Sequence, residues 1–158
     1  MEVVIRPVKP EDYKEIKKYL FVQSEEKEIK KSLTTDIEEM GRNKLLRIVA
    51  ETDNKVIGQC DFRRLISPIK QHIIEITGLV VNENYQGRGI SSMLITYGLN
   101  WAKEQGIEIA TISVRKGTKA EAVYLHMGFK VYGKLQDGIK EPWGDKLSFD
   151  EIFLFKNI

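Results

Sequence analysis

Between Ile73 and Val114 the chain reads as strand, turn, helix, strand, and the rest of the sequence is arranged around this unit. His72 to Val81 is almost continuously apolar and β-branched, broken by Glu75 and Thr77. That composition predicts a central strand buried on both faces. Asn82-Glu83-Asn84 ends the strand. Tyr85-Gln86-Gly87-Arg88-Gly89-Ile90-Ser91-Ser92 then places two glycines at the start of a helix. The apolar positions of that helix, Ile90, Met93, Leu94, Tyr97, Trp101 and Ala102, recur at helical spacing. Gly106 closes it, and Ile107 to Val114 forms the next strand.

A glycine-rich turn that opens a helix is an anion site. Free N–H groups and the positive end of the helix dipole converge there, and glycines let phosphate oxygens reach the backbone. The turn lacks the Gly-Lys-Ser/Thr ending of a P-loop. Gly87-x-Gly89 also lacks the third glycine of a dinucleotide fingerprint and the following strand with its acidic residue. The hexapeptide Gln86-Gly87-Arg88-Gly89-Ile90-Ser91 resembles the acetyl-CoA motif of the GNAT N-acetyltransferase superfamily, Gln/Arg-x-x-Gly-x-Gly/Ala. Ser91 replaces the small last residue and brings a hydroxyl of its own. Tyr124 and Gly128-Phe129 extend the resemblance toward the C-terminus, so that it spans nearly the whole chain.

With 158 residues the chain is expected to form one domain, residues 1–158, large enough for a substantial core. A net charge of +2, with 25 basic residues spread among 23 acidic ones, argues against nucleic acid as the main partner. Cys60, the single cysteine, cannot form an internal disulfide and reads as a small core residue; no metal-ligand spacing of Cys or His occurs. Met1-Glu2-Val3 begins no signal-peptide pattern, and no apolar run approaches a membrane span. Together these predict a cytoplasmic protein without metal or membrane partner.

Taken in order, residues 2–8 read as a strand, and Pro10 opens a helix with Tyr13, Ile16, Tyr19 and Leu20 inward. A second helical region ends at Gly41, with Leu33, Ile37 and Met40 inward. Strands over 45–51 and 55–65 are joined by a tight turn at Asp53-Asn54. After the central unit, Thr118-x-x-Glu121 resembles a capping box and starts a short helix ended by Gly128. A strand over 129–133, a loop over 136–146 and a last strand over 149–155 complete the chain. The order matches the GNAT acyl-CoA N-acyltransferase fold. The resemblance therefore implies an α/β (α+β) class, a mixed central β-sheet flanked by helices on both faces.

Acetyl transfer from a thioester to an amine requires a neutral amine, a polarised carbonyl and a proton for the departing thiolate. Glu75 is the candidate base. Strand alternation places it with Thr77, Leu79 and Val81, where apolar surroundings would raise its pKa, and the resemblance matches it to the glutamate base of the histone-acetyltransferase branch. A solvated strand-end carboxylate, or one that only binds the amine, is the alternative. Tyr124 matches the family's tyrosine beside the coenzyme A sulfur and is the candidate acid; a core aromatic is the alternative. Gly117 stands where the family commonly has a cofactor-contacting asparagine. The resemblance implies that Leu79, Val80 and Val81 contact the pantetheine arm and acetyl carbonyl through their backbone where the strand splays; a fully paired strand is the alternative. It assigns Gln86, Gly87, Arg88, Gly89, Ile90, Ser91 and Ser92 to the phosphates, with a solvent-exposed turn arginine as the alternative for Arg88.

His72 and His126 read as surface or structural residues. Trp143, in Glu141-Pro142-Trp143-Gly144-Asp145, is a candidate acceptor contact or a loop anchor, and Glu25, Glu26, Asp137 and Asp145 are further candidate amine contacts. The implied function is acetyl transfer from acetyl-CoA to a primary amine by direct attack in a ternary complex. A non-catalytic acyl-CoA-binding module is the alternative. A polyamine, amino acid, antibiotic, protein N-terminus or lysine fits the acceptor role equally, and family practice allows a homodimer.

Overall fold

The computed structural model describes residues 1–158. A seven-stranded sheet in the order β1-β2-β3-β4-β5-β7-β6 forms its middle layer. The strands are β1 (Val4–Pro7), β2 (Leu45–Thr52), β3 (Lys55–Arg64), β4 (Ile73–Val81), β5 (Ile109–Arg115), β6 (Lys130–Lys140) and β7 (Ser148–Asn157). Only β4 and β5 pair in parallel; all other neighbours are antiparallel. A parallel pair needs a long crossover, and the helix α3 (Ile90–Glu104) supplies it. Helices α1 (Tyr13–Tyr19) and α2 (Glu26–Gly41) pack on one face, and α3 and α4 (Lys119–His126) on the other. This is the mixed sheet with helices on both faces that the sequence predicts. No helix is long and apolar enough to cross a membrane.

Two hydrophobic cores follow from this layering. The larger joins Ile48, Phe62, Ile74 and Ile76 of the sheet to Leu94 and Ile95 of α3 and to Tyr124 of α4. The smaller joins Val49 and Val56 to Ile16 of α1 and to Ile29 and Leu33 of α2. Cys60 is fully buried in the larger core, as its sequence context predicts. The β2–β3 turn has positive φ at both Asp53 and Asn54, the conformation of a type I′ hairpin.

Three local expectations are corrected. β4 is not buried on both faces: Ile74 and Ile76 are buried while Glu75 and Gly78 are exposed, because α1 and α2 cover only part of their face. β6 runs on to Lys140, through residues expected to be loop. The positive φ of Asp137 and the neighbouring Gly138 serve a bulge opposite β7 and do not end the strand. Thr118 does not cap α4. Its hydroxyl donates to the Arg115 carbonyl, while the Glu121 carboxylate accepts from the Gly117 N–H at 2.7 Å.

The tip of the Phe62 ring fits against α3 only because position 98 is glycine. A Cβ there would stand 1.9 Å from Phe62 Cζ, and Phe62 is fully buried with no room to retreat. Helix propensity favours alanine over glycine by roughly 1 kcal/mol, but overpacking of this severity costs more. Gly98→Ala is therefore expected to lower stability by about 2 kcal/mol, seen as a lower denaturation midpoint in urea. An unchanged or raised midpoint would show that the ring and helix can separate freely.

Candidate active site

The sheet comes apart at its centre. β4 pairs with β5 only from Ile73–Glu75 to Ile109–Thr111, and beyond that register the strands diverge. The edge of β4 from Ile76 to Val81 that faces β5 therefore has no ladder partner. On its other side β4 pairs with β3, with one extra residue inserted. Gln59 opposes Val80 and Asp61 opposes Thr77, so Gly78 and Leu79 together oppose Cys60. Gly78 has φ +62, the left-handed conformation that the first residue of such a bulge requires.

This bulge reverses the alternation of the strand. Ile74 and Ile76 face α3, and after the bulge Leu79 and Val81 pack against the same core. Glu75 and Thr77 point to the α1/α2 side, opposite Arg63 and Asp61 on β3. The expected grouping of Glu75 with Leu79 and Val81 is thus corrected. Nor is Glu75 enclosed by apolar side chains, since it is exposed.

At the end of β4 the Asn82 carboxamide accepts from the Asn84 N–H and donates to the Tyr19 carbonyl, tying the strand end to α1. A single 3-10 turn, Glu83–Tyr85, leads into the glycine turn. Gly87 and Gly89 have φ of +74 and +77, and nothing stands within 4 Å of a Cβ built on either. No side chain caps the N-terminus of α3. Its first N–H groups and the helix dipole face open space, which suits a diphosphate.

That space is a cavity of about 330 Å³ lined by Leu79, Val81, Gln86, Gly87, Gly89, Ile90, Ser91, Ser92 and Tyr124. Two of the expected cofactor contacts are not in its wall. Val80 lies on the far side of the bulged strand, opposite Gln59. Arg88 turns back over the Tyr85 ring at 5.5 Å and donates to the Asn84 carbonyl. Tyr85, Lys119, Ala120 and Val123 complete the lining. Lys119, the first residue of α4, adds a cation across from the turn. Its only sequence signal is its place at a helix start near Gly117.

A second cavity of about 350 Å³ fills the split between β4 and β5. It shares Leu79, Ala120 and Tyr124 with the first, and Thr77, Gly78, Ser113 and Arg115 extend it. Arg115 stacks on Phe149 at 3.8 Å and pairs with Glu141 at 3.0 Å, which fixes the β6–β7 hairpin against this end of the split. Tyr124 thus stands where the two cavities meet. It is 2% exposed and packs on Phe129. Burial, with a smaller contribution from Cys60, pushes its phenol well above the usual range, so the hydroxyl keeps its proton at any physiological pH.

His72 and His126 are exposed, and Trp143 is 68% exposed at the hairpin end, so it anchors no packing. No group of His, Cys, Asp and Glu has the arrangement of a metal site.

The family model described as the acetyltransferase (GNAT) family matches residues 12–129. No curated protein matches the chain. Among solved structures, an acetyltransferase of GNAT family from Streptococcus pneumoniae is 19% identical over 99% of this chain and 100% of that chain, with a TM-score of 0.82. An N-acetyltransferase from Staphylococcus aureus is 21% identical over 99% of each chain, also with a TM-score of 0.82. A GNAT superfamily phosphinothricin acetyltransferase from Sinorhizobium meliloti, solved with AcCoA, is 14% identical over 100% of this chain and 89% of that chain, again with a TM-score of 0.82. At these identities the likeness is one of fold.

Gly89→Asp would force a side chain into a left-handed position and place a negative charge against the free N–H groups. It is expected to weaken binding of a phosphorylated ligand by at least about 10²-fold in calorimetry while the far-ultraviolet circular dichroism is unchanged. Wild-type affinity would remove the turn from the binding site.

Proposed function

The chain belongs to the acetyltransferase (GNAT) family, and on that footing we propose that it transfers the acetyl group of acetyl-CoA to a primary amine by direct attack in a ternary complex. The observation that carries this reading is the meeting of the phosphate-turn cavity and the strand split at Tyr124. Such an arrangement suits a ligand with an anionic end and a reactive end, the first at the α3 N-terminus and the second in the split. We treat residues 1–158 as one catalytic unit working in the cytoplasm with a small amine or a protein amine as acceptor.

In this mechanism the peptide N–H groups at the start of α3, with Gln86, Ser91 and Ser92, hold the diphosphate. Arg88 stands at the rim and adds long-range attraction. The β5-facing backbone edge of β4 at Leu79, which has no strand partner, accepts from and donates to the pantetheine arm and polarises the thioester carbonyl. Tyr124 supplies the proton that the thiolate takes as the C–S bond breaks. A buried phenol is a reluctant acid in the absence of a base. Beside a forming thiolate it is well placed, because the proton moves only as the negative charge develops. Glu75, exposed on the face where the acceptor arrives, attracts a cationic amine.

Two measurements test this. In calorimetric titration acetyl-CoA is expected to bind in the micromolar range and NAD not to bind; no acetyl-CoA binding would overturn the reading. In a thiol-release assay with a panel of amines, Tyr124→Phe is expected to lower kcat about 10²-fold with acetyl-CoA affinity intact. Wild-type turnover in that variant would remove the acid role. Binding without thiol release for any amine would favour the acyl-CoA-binding module. Glu75→Gln is expected to raise KM for cationic amines, an effect that shrinks with added salt.

A further inference from the structure

The cavity in the split between β4 and β5 has one ionised side chain in its wall, Arg115. Aliphatic side chains from β4, β5 and α4, with the hydroxyls of Thr77, Ser113 and Tyr124, make up most of the rest. No carboxylate lines it. Asp61 Oδ2, the carboxylate oxygen nearest Gly78, is bonded to Arg63 at 3.0 Å, and Glu75 is exposed outside the cavity. The proposed mechanism gives Arg115 no part.

Arg115 is the last residue of β5. Strand alternation turns it, with Thr111 and Ser113, away from buried Ile112 and Val114 and onto the face that holds Glu75 and Thr77. Its guanidinium lies on the Phe149 ring at 3.8 Å, and Nη2 donates to Glu141 Oε1 at 3.0 Å. Both contacts come from the β6–β7 hairpin, and together they hold the group still. They occupy one edge of it. Nε and Nη1 make no hydrogen bond within the protein, and neither is sealed from water. Glu151, opposite Arg115 on β7, does not compete for that edge: its carboxylate stands beside Gly138, 3.0 Å from a Cβ built there. A guanidinium fixed by one carboxylate and bare along its other edge is a fork ready for a second carboxylate.

We infer that Arg115 binds a carboxylate of the acceptor, and that the acceptor is a small free amino acid. The inference rests on the acetyl-transfer reading. Arg115 and Tyr124 line the same cavity of about 350 Å³, so an acceptor held by the first presents its neighbouring atoms to the second. In an α-amino acid a single carbon separates carboxylate from amine. A carboxylate on Arg115 therefore leaves the amine inside the split, on the side where Tyr124 meets the thioester sulfur. The volume leaves room for a compact side chain, and the aliphatic wall suits an apolar one.

The same side chain works against the other acceptors. A polyamine would bring further cations into a cavity whose one ionised wall group is already a cation. A protein N-terminus, or a lysine within a chain, offers a neutral amide where the carboxylate would lie. It displaces water from the fork without replacing the lost hydrogen bonds, which is costly for a charged donor. Glu141 offsets part of the charge of Arg115, so discrimination comes from the geometry of the fork as much as from net charge. Glu75, exposed on the same face, draws the ammonium in, and Arg115 then selects by what stands next to the amine.

The test compares the wild type, Arg115→Gln and Arg115→Lys as full chains, with thiol release as the assay and acetyl-CoA affinity read by calorimetry. Acceptors come in pairs that differ only at the carboxyl group, alanine with alanine amide and valine with valine amide, beside spermidine and N-acetyl-lysine amide. An α-amine next to an amide has a pKa of about 8, so the amides carry more of the attacking neutral form, and intrinsic reactivity favours them. The wild type is nevertheless expected to prefer the acids by at least about 10-fold in kcat/KM, a preference that shrinks with added salt. Arg115→Gln is expected to keep acetyl-CoA binding, raise KM for the acids about 10²-fold and abolish the preference. Arg115→Lys, which keeps the charge without the fork, is expected to regain part of it. Equal losses for acid and amide in a folded Arg115→Gln would show that Arg115 only holds the hairpin, and would overturn the inference. Should Arg115→Gln fail to fold, the wild type decides alone: a preference for the acids supports the inference, and amides or spermidine turned over as well as the acids overturn it. A wild type that binds acetyl-CoA but releases thiol with no amine at all would reject the acetyl-transfer reading itself, whereas turnover of spermidine or N-acetyl-lysine amide alone would reject only the role of Arg115.

Discussion

One inserted residue in β4 determines how the middle of this molecule is used. A strand that kept strict alternation from Ile74 would send Gly78 and Val80 toward α3 and leave Leu79 and Val81 on the opposite face. The bulge at Gly78 turns Leu79 and Val81 toward the larger core and the cavity, while Glu75 and Thr77 stay on the α1/α2 side. It acts together with the early end of β4–β5 pairing. A sheet is normally closed by its own hydrogen bonds, and an unpaired backbone edge in its interior is costly unless something else fills it. Here the edge lines a cavity whose residues come from β4, β5 and α4.

The same region shows how a buried charge group can hold a backbone distortion. Arg47, Gln59 and the Gly78 carbonyl form a continuous chain of donors and acceptors from β2 to the bulge. Asp36 brings α2 into the same group. The smaller core alone gives α2 only an apolar stripe, which fixes the helix along one direction. The ionic contacts fix its rotation and register as well, because a guanidinium fork meets carboxylate oxygens in few geometries.

The parts of the site that sequence exposes are those whose physics is local. Gly87 and Gly89 are needed for their own φ values, and their spacing to α3 is set by neighbours in the chain. The order of elements was legible for the same reason, since hydrophobic period and turn residues are short-range signals. What sequence hid is tertiary. The bulge had one visible sign, a glycine inside a strand run, and that sign does not say which side the following residues face. Asp61, Arg63 and Arg47 look like ordinary polar positions on half-exposed strands; only the arrival of Asp36 from α2 makes Arg47 and Asp61 buried and Arg63 their half-exposed partner. Glu75 shows the reverse error, a carboxylate that seems enclosed in a hydrophobic run and is in fact open to water. In β6 the residues that signal a loop, Asp137 and Gly138, are absorbed by a bulge in an edge strand, where irregular backbone costs little.

The uncapped start of α3 has a thermodynamic consequence beyond ligand recognition. None of the four α-helices is capped by its own N-cap side chain, but the first turn of α3 opens onto the cavity, where a bound ligand can satisfy its N–H groups. Because α3 supplies much of the larger core, its first turn and that core are coupled. A ligand that binds only the folded chain adds RT ln(1 + [L]/Kd) to its stability, about 2.7 kcal/mol at a hundredfold excess over Kd. The lifetime of the folded protein would then follow the supply of that ligand, so that a cell short of it would hold less of the protein as well as using it less.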